Sequence, residues 1–234
     1  MRAQVQHIDQ VLAGAFTPSL CPPEAVFVCA GIGARFLGGV EDTSVYPVRG
    51  QTVLLKAPWF KEAVMFTLRD GNYTHVAPRR SGIAVLGGVR DADDWYPHAR
   101  PEVTEGLLER AVAIWPELAP PSAREGGRIP TKEDLRPLIV GHGCGLRPRR
   151  KGGIRLEKEW RQVPGSKKRV VVIYNYGSVL AMRESLRDFC SSIRSRHSGA
   201  GYQTSWGTAS RALVLAAEAF AETTSAIPQH SLSE

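Results

Sequence analysis

Glycines interleaved with cations are the part of this chain best suited to chemistry on an anion. The stretch Gly141-His-Gly-Cys-Gly-Leu-Arg-Pro-Arg-Arg-Lys-Gly-Gly-Ile-Arg155 follows a strand-like run, Leu138–Val140, and precedes another. Glycine lets a ligand or a second backbone come close, and a planar guanidinium beside it can hold a carboxylate through two parallel hydrogen bonds. A solvated basic hairpin with no role would have the same composition. A second candidate is Gly31-Ile-Gly33, which ends the apolar run Ala25–Ala30. A glycine turn at the carboxyl end of a buried strand is a usual seat for a nucleotide or flavin. No G-x-G-x-x-G occurs anywhere in the chain, so this signal is weak by itself. His142 and Cys144 have no third ligand nearby in sequence, and no metal is expected.

Composition narrows the classes. In 234 residues, 43% are hydrophobic and 23% charged, as in ordinary globular proteins, with room for one large domain or two modest ones. The net charge of +7 invites a nucleic-acid partner, but the basic residues are scattered and no such motif is present, so none is expected. Cys21, Cys29, Cys144 and Cys190 are widely separated and read as reduced thiols of an intracellular protein. No apolar run is long enough to span a membrane, and the first residues lack a signal-peptide core.

The elements that would position these groups follow from punctuation and periodicity. A helix or helix-plus-turn is expected over Met1–Ala15, broken by Pro18, Pro22 and Pro23. Ala25–Ala30 reads as a buried strand. Val45–Lys56 reads as a turn feeding a strand, and Ala63–Leu68, Tyr73–Ala77 and Ile83–Leu86 follow, joined by the turns at 69–72 and 79–82: an antiparallel meander. Pro101–Trp115 carries early acids and apolar residues at helical spacing, and Pro116 ends it. Ser122–Glu133 reads as a polar loop. Leu138–Val140, Ile154–Leu156 and Arg169–Asn175 are expected as strands. A helix follows at 205–222 after the glycines of Gly199-Ala-Gly201.

Six ordered strings then add up. Val-Phe-Val-Cys-Ala-Gly (26–31), Pro-Val-Arg-Gly-Gln (47–51), Leu-Gly-Gly-Val-Arg (86–90) with Asp-Asp-Trp (93–95), Gly-Leu-Arg-Pro (145–148), Tyr-Asn-Tyr-Gly (174–177) and Gly-Ala-Gly-Tyr-Gln-Thr-Ser-Trp-Gly (199–207) together resemble the C-terminal portion of the fungal D-amino-acid oxidase and D-aspartate oxidase family. The last string argues against the related glycine and sarcosine oxidases. The resemblance implies FAD as cofactor and a D-amino acid and O2 as small-molecule partners. It implies oxidative deamination by hydride transfer from the substrate Cα to the flavin, with H2O2, a 2-oxo acid and ammonia as products. That chemistry asks for orientation more than for an acid–base dyad, so no acid–base catalytic residue is assigned. Arg147 stands where the family clamps the substrate α-carboxylate. Ala30 and Gly31 match the strand end beside the flavin, and Gly199, Ala200, Gly201, Tyr202 and Gln203 match the loop and helix start along its ring. The substrate-side positions are Arg90, Arg69, His75 and Gly199. His75 departs from the family's tyrosine. Arg90, with Arg69, resembles the D-aspartate oxidase branch, where a second cation meets a side-chain carboxylate; both also fit solvated hairpin ends.

The implied fold class is α/β (α+β): a substrate domain built on an antiparallel, partly mixed sheet, with remnants of a Rossmann-like FAD domain. The expected division is 1–44 for the FAD-binding part, 45–176 for the substrate domain, and 177–234 for a return to the FAD part. An inserted interval, 178–198, reads as retained intron sequence, the alternative being a lid over the flavin. The G-x-G-x-x-G half of the family is missing from the chain, which reads as a truncated product, and a non-catalytic remnant that does not retain FAD is the competing expectation. Family members are often peroxisomal, yet the chain ends Leu232-Ser-Glu234 rather than in a Ser-Lys-Leu address, so cytoplasmic and peroxisomal locations both stand. Oligomeric state, a homodimer included, is left open.

Overall fold

The computed structural model describes residues 4–17, 19–67, 73–177 and 200–225, the side chains of 200–204 and 224–225 excepted. In chain order the elements are α1 (Ile8–Leu12), β1 (Ala25–Val28), β2 (Val45–Lys56), β3 (Val64–Thr67), β4 (Tyr73–Pro78), β5 (Ile83–Gly87), β6 (Asp91–Ala92), α2 (Pro101–Ile114), α3 (Lys132–Leu135), β7 (Ile139–Arg150), β8 (Arg155–Gln162), β9 (Arg169–Tyr176) and α4 (Ala200–Ser225). Short 3-10 turns occupy Gly31–Arg35, Pro116–Leu118, Pro121–Gly127 and Arg136–Leu138.

The chain divides into two compact units, Met1–Tyr46 with Pro148–Glu234, and Pro47–Arg147. This differs from the 1–44, 45–176 and 177–234 division drawn from sequence. β8 and β9, placed there in the substrate domain, fall with the N-terminal segment, because β9 pairs in parallel with β1, Ala25–Val28 against Val171–Tyr174. Such a long-range pairing has no local signature.

In the first unit the sheet order is β1-β9-β8. Val170, Val172 and Tyr174 turn one face toward Ile8, Leu12 and Val45, while Val171 and Ile173 meet Ala212, Leu215, Ala216 and Ala219 of α4. Those four helix positions recur at one face's spacing, which is why an alanine-rich helix packs there. Of the helix or helix-plus-turn expected over Met1–Ala15, the described residues show the second: His7 caps α1, with Gln10 completing a capping box, and Ala13 closes it into a turn. α4 runs beyond 205–222, being helical from Ala200 through Gly201 and Gly207; each glycine costs only about 1 kcal/mol there, which packing offsets. Asp42, nearly buried, gathers the unit's polar links: Arg150 Nε donates to it at 2.7 Å, the Tyr176 hydroxyl at 3.0 Å and the Ser44 N–H at 3.0 Å. Burial alone would raise that carboxyl, but these donors outweigh it and hold Asp42 below the usual carboxylate range.

In the second unit the strand order is β3-β4-β5-β2-β6, with β7 also paired to β2. The meander expected from sequence holds for β3, β4 and β5, while β2 joins beside β5. One face is the core: Val53, Leu55, Val76, Ala84 and Leu86 against Leu107, Leu108, Ala111 and Val112 of α2. α2 begins at Pro101 and stops at Trp115, before Pro116, as its punctuation predicts. The loop expected over Ser122–Glu133 is partly helical, since Thr131 and Asp134 form a capping box that starts α3. The larger correction concerns Gly141–Arg150. The sequence shows a short strand at Leu138–Val140 and then a glycine-rich basic stretch; the structure shows one continuous strand. Its glycines serve close packing, for a Cβ at Gly143 would stand 2.7 Å from Thr52 Oγ1.

A candidate substrate face and a candidate flavin edge

The sheet face of the second unit that turns away from the core carries the residues of interest. Strand alternation puts Arg49, Gln51, Val53 and Leu55 inward, each 0–1% exposed, and Gly50 and Thr52 outward. The register then lines up His75, Gly87 and Thr52 across β4, β5 and β2. Gly87 makes room for the other two: a Cβ there would lie 2.6 Å from the His75 ring and 3.2 Å from Thr52 Cγ2. Farther along, a Cβ at Gly50 would lie 2.3 Å from both terminal nitrogens of Arg147. The guanidinium of Arg147 therefore lies on bare backbone, with Nη1 donating to the Val89 carbonyl at 3.2 Å.

Arg90 reaches the same face through a change of register. His75 pairs with Gly87, so regular pairing would set Val89 beside Tyr73 on the outer face. Instead Gly88 adopts φ +138°, and any Cβ it carried would meet the Tyr73 carbonyl at 2.0 Å. That conformation, open to glycine, sends Val89 into the core and leaves Arg90 over the Tyr73 ring, its guanidinium carbon 4.2 Å from the centroid. Tyr73 stacks in turn on His75, with centroids 5.7 Å apart and planes 10° from parallel.

Among the described residues, Arg147 and Arg90 meet a carbonyl oxygen and a ring face, not a carboxylate. Arg49, Arg100, Arg136, Arg150 and Arg155 all pair with acids. Two guanidinia without counter-ions, on a face floored by glycine, are what a small dianion requires.

The loop after Arg90 is held from below. Arg49, wholly buried, donates from Nε to the Tyr96 carbonyl at 3.1 Å and from Nη2 to Gln51 Oε1 and the His98 carbonyl, each at 2.7 Å. Gln51 donates to the Arg100 carbonyl at 2.8 Å and to Thr104 Oγ1 at 3.0 Å, and accepts from the Arg100 N–H at 2.8 Å. Asp94 pairs with Arg100. The Pro-Val-Arg-Gly-Gln string thus supports a loop with Arg49 and Gln51 while Gly50 makes room for Arg147.

In the first unit, β1 ends at Val28, short of the Ala25–Ala30 run expected, and Ala30 leads to Gly31 at φ +56°, where the chain turns into Gly31–Arg35. A cleft there is lined by Ala30, Gly33, Phe36 and Leu37 with residues 4–6. Small side chains at Ala30 and Gly33 leave the strand end open, as a planar ring lying against it requires. Ala200, Gly201, Tyr202 and Gln203 form the first turn of α4. The structure thus brings Arg147, Arg90 and His75 onto one sheet face, and places Ala30 and Gly31 in the other unit. Arg69, Gly199 and the 178–198 interval lie outside the described residues. Sequence reasoning missed Tyr73, Gly50 and Gly88. The Gly-Gly of 87–88 was legible as a signal, but its consequence for Arg90 was not. Among the described residues no cluster of His, Cys, Asp or Glu could hold a metal, and no helix is long and apolar enough to cross a membrane.

Residues 2–179 match the family model described as FAD dependent oxidoreductase, DAO. The chain belongs to that family. It is 37% identical over 216 residues to a D-aspartate oxidase of Cryptococcus neoformans var. grubii, covering 83% of this chain and 49% of that protein. It is 34% identical over 197 residues to a D-amino-acid oxidase of Schizosaccharomyces pombe, covering 83% and 47%. The chain spans about half the length of these two DAO proteins. Among solved structures, glycine oxidase from Geobacillus kaustophilus is similar, with a TM-score of 0.46 and 22% identity over 67% of this chain and 36% of that one.

Proposed function

We propose that this chain supplies the substrate face of a DAO-family oxidase that oxidises D-amino acids at Cα, with D-aspartate and D-glutamate favoured. The observation that carries the reading is the pair of guanidinia, Arg147 and Arg90, without acidic partners among the described residues, on a glycine-floored face. Arg147 takes the α-carboxylate and Arg90 the side-chain carboxylate. The carbon skeleton lies between them. Orientation by two fixed points is worth more here than a general base, because the reacting bond is C–H. When bound, FAD supplies the hydride acceptor and the route to O2, which leaves as H2O2. Ala30, Gly31, Gly33 and the first turn of α4, with its positive helix end, would hold the ring edge. The chain has no G-x-G-x-x-G, so its residues fit the ring edge and not the diphosphate.

The test is turnover of D-aspartate, D-glutamate and D-alanine by the FAD-loaded protein, read as peroxide and as anaerobic bleaching of the flavin bands. Arg147→Ala is expected to lower kcat/KM for every D-amino acid by about 10²- to 10³-fold, the loss of a charge-assisted bidentate contact, with the flavin spectrum unchanged. Near-normal kcat/KM in that variant would refute the clamp.

A further inference from the structure

We infer that Tyr73 is a specificity-determining positioning residue, acting through Arg90; the inference rests on the substrate reading just given. Arg90 extends from a strand end that has left regular pairing, and it is exposed, so nothing in its own backbone fixes its guanidinium. A free arginine side chain loses rotamer entropy when a ligand orders it. The Tyr73 ring, 7% exposed, removes much of that freedom beforehand. Its face lies 4.2 Å beneath the guanidinium carbon, and the attraction of a cation for the electron-rich ring holds the plane in one place. The ring is itself held: His75 stacks on it nearly parallel, and Thr74, the neighbour on β4, is buried and bonded to Arg110 at 3.2 Å. A guanidinium held through a ring face spends no N–H group on a carboxylate, and those groups are the part a carboxylate needs. Tyr73 therefore contributes to recognition of an acidic side chain without touching it, and it contributes nothing to a neutral substrate.

The shape-conserving test replaces Tyr73 by phenylalanine and then by phenylalanines of increasing ring fluorination, which drain the ring face of electron density while keeping its packing. Two probes are bound to each variant by calorimetry: succinate, which has the carbon chain and both carboxylates of aspartate, and butyrate, which lacks the second. kcat/KM for D-aspartate and D-alanine is measured alongside. Tyr73→Phe is expected to stay within about 2-fold of the parent. Succinate affinity and kcat/KM for D-aspartate should then fall stepwise, by about 3- to 10-fold at full fluorination. Butyrate affinity and D-alanine turnover should stay level. A parent that prefers succinate, with that preference unmoved along the series, would overturn the inference and leave Tyr73 a packing residue. An equal fall for both probes would overturn it too, since that is general loosening. A parent with no succinate preference would sink the acidic-substrate reading first, and this inference with it.

Discussion

A glycine can matter for the atom it lacks, and at Gly50 that absence is what lets Arg147 lie down. A methyl group there would stand 2.3 Å from both terminal nitrogens of the guanidinium. Since the obstacle is the far end of a flexible side chain, Gly50→Ala should leave melting within about 1 kcal/mol of the parent but displace Arg147, costing at least about 10-fold in kcat/KM. Parallel melting and turnover measurements check this; loss of both together would mean the glycine is needed for folding instead. Arg90→Leu tests the other cation. It should lower kcat/KM for D-aspartate by about 10- to 100-fold, the share of one charged hydrogen-bonding partner, and leave D-alanine almost untouched. Equal losses on both substrates would remove Arg90 from specificity.

At the scale of elements, stability rests on a few buried polar hubs. Arg49 is wholly buried, and its donors serve two loop carbonyls and Gln51. Arg49→Met keeps the bulk but orphans those acceptors, and about 2–4 kcal/mol of denaturation free energy should be lost, with the loop before α2 becoming labile to proteolysis. In the first unit Asp42 makes the fold sensitive to acid. Its carboxyl is held low in the folded state, so its contribution is fully present above the unfolded value of about 3.9 and disappears as pH falls through the lower folded value. Urea titrations from pH 6 downward should therefore show stability falling below about pH 4.5, and Asp42→Asn should flatten that slope while being less stable near neutrality. An unchanged slope would place the acid sensitivity elsewhere. At the other end, burial and the bond to Glu159 push the Tyr174 hydroxyl up to about 12, so Tyr174 keeps its proton through the physiological range.

For the whole molecule the relevant property is charge. At +7 the chain attracts anions from beyond contact distance. D-aspartate carries net negative charge at neutral pH and D-alanine carries none, so kcat/KM for D-aspartate should fall several-fold between about 10 and 200 mM salt, a range over which screening shortens from roughly 30 Å to under 10 Å, while D-alanine stays flat. Retention of that salt dependence in Arg90→Leu would assign it to the overall field; its loss would assign it to the site. At this scale the sequence was least readable. The division at Tyr46/Pro47 and Arg147/Pro148 falls inside β2 and β7, so the prolines and glycines there stand within strands and do not mark a linker.

By itself the sequence determined what is local or carried by residue type. α2 with its proline stops, the antiparallel pairing of β3 to β5 and the strand leading to Gly31 follow from periodicity and turn chemistry, though that strand is only half buried, Phe27 being exposed; Arg147 stood out from its basic neighbours through the family resemblance. Tertiary structure decided what depends on partners distant in the chain. It made Gly141–Arg150 part of a long strand, because its glycines answer to β2 rather than to their own neighbours. It joined β9 to β1 across more than half the chain, and it turned Arg90 onto the face of Tyr73 through one backbone angle at Gly88. A backbone torsion and a ring seventeen residues away have no imprint on the identity of Arg90, so only the packed sheet could show that an ordinary hairpin-end cation has a fixed place to stand.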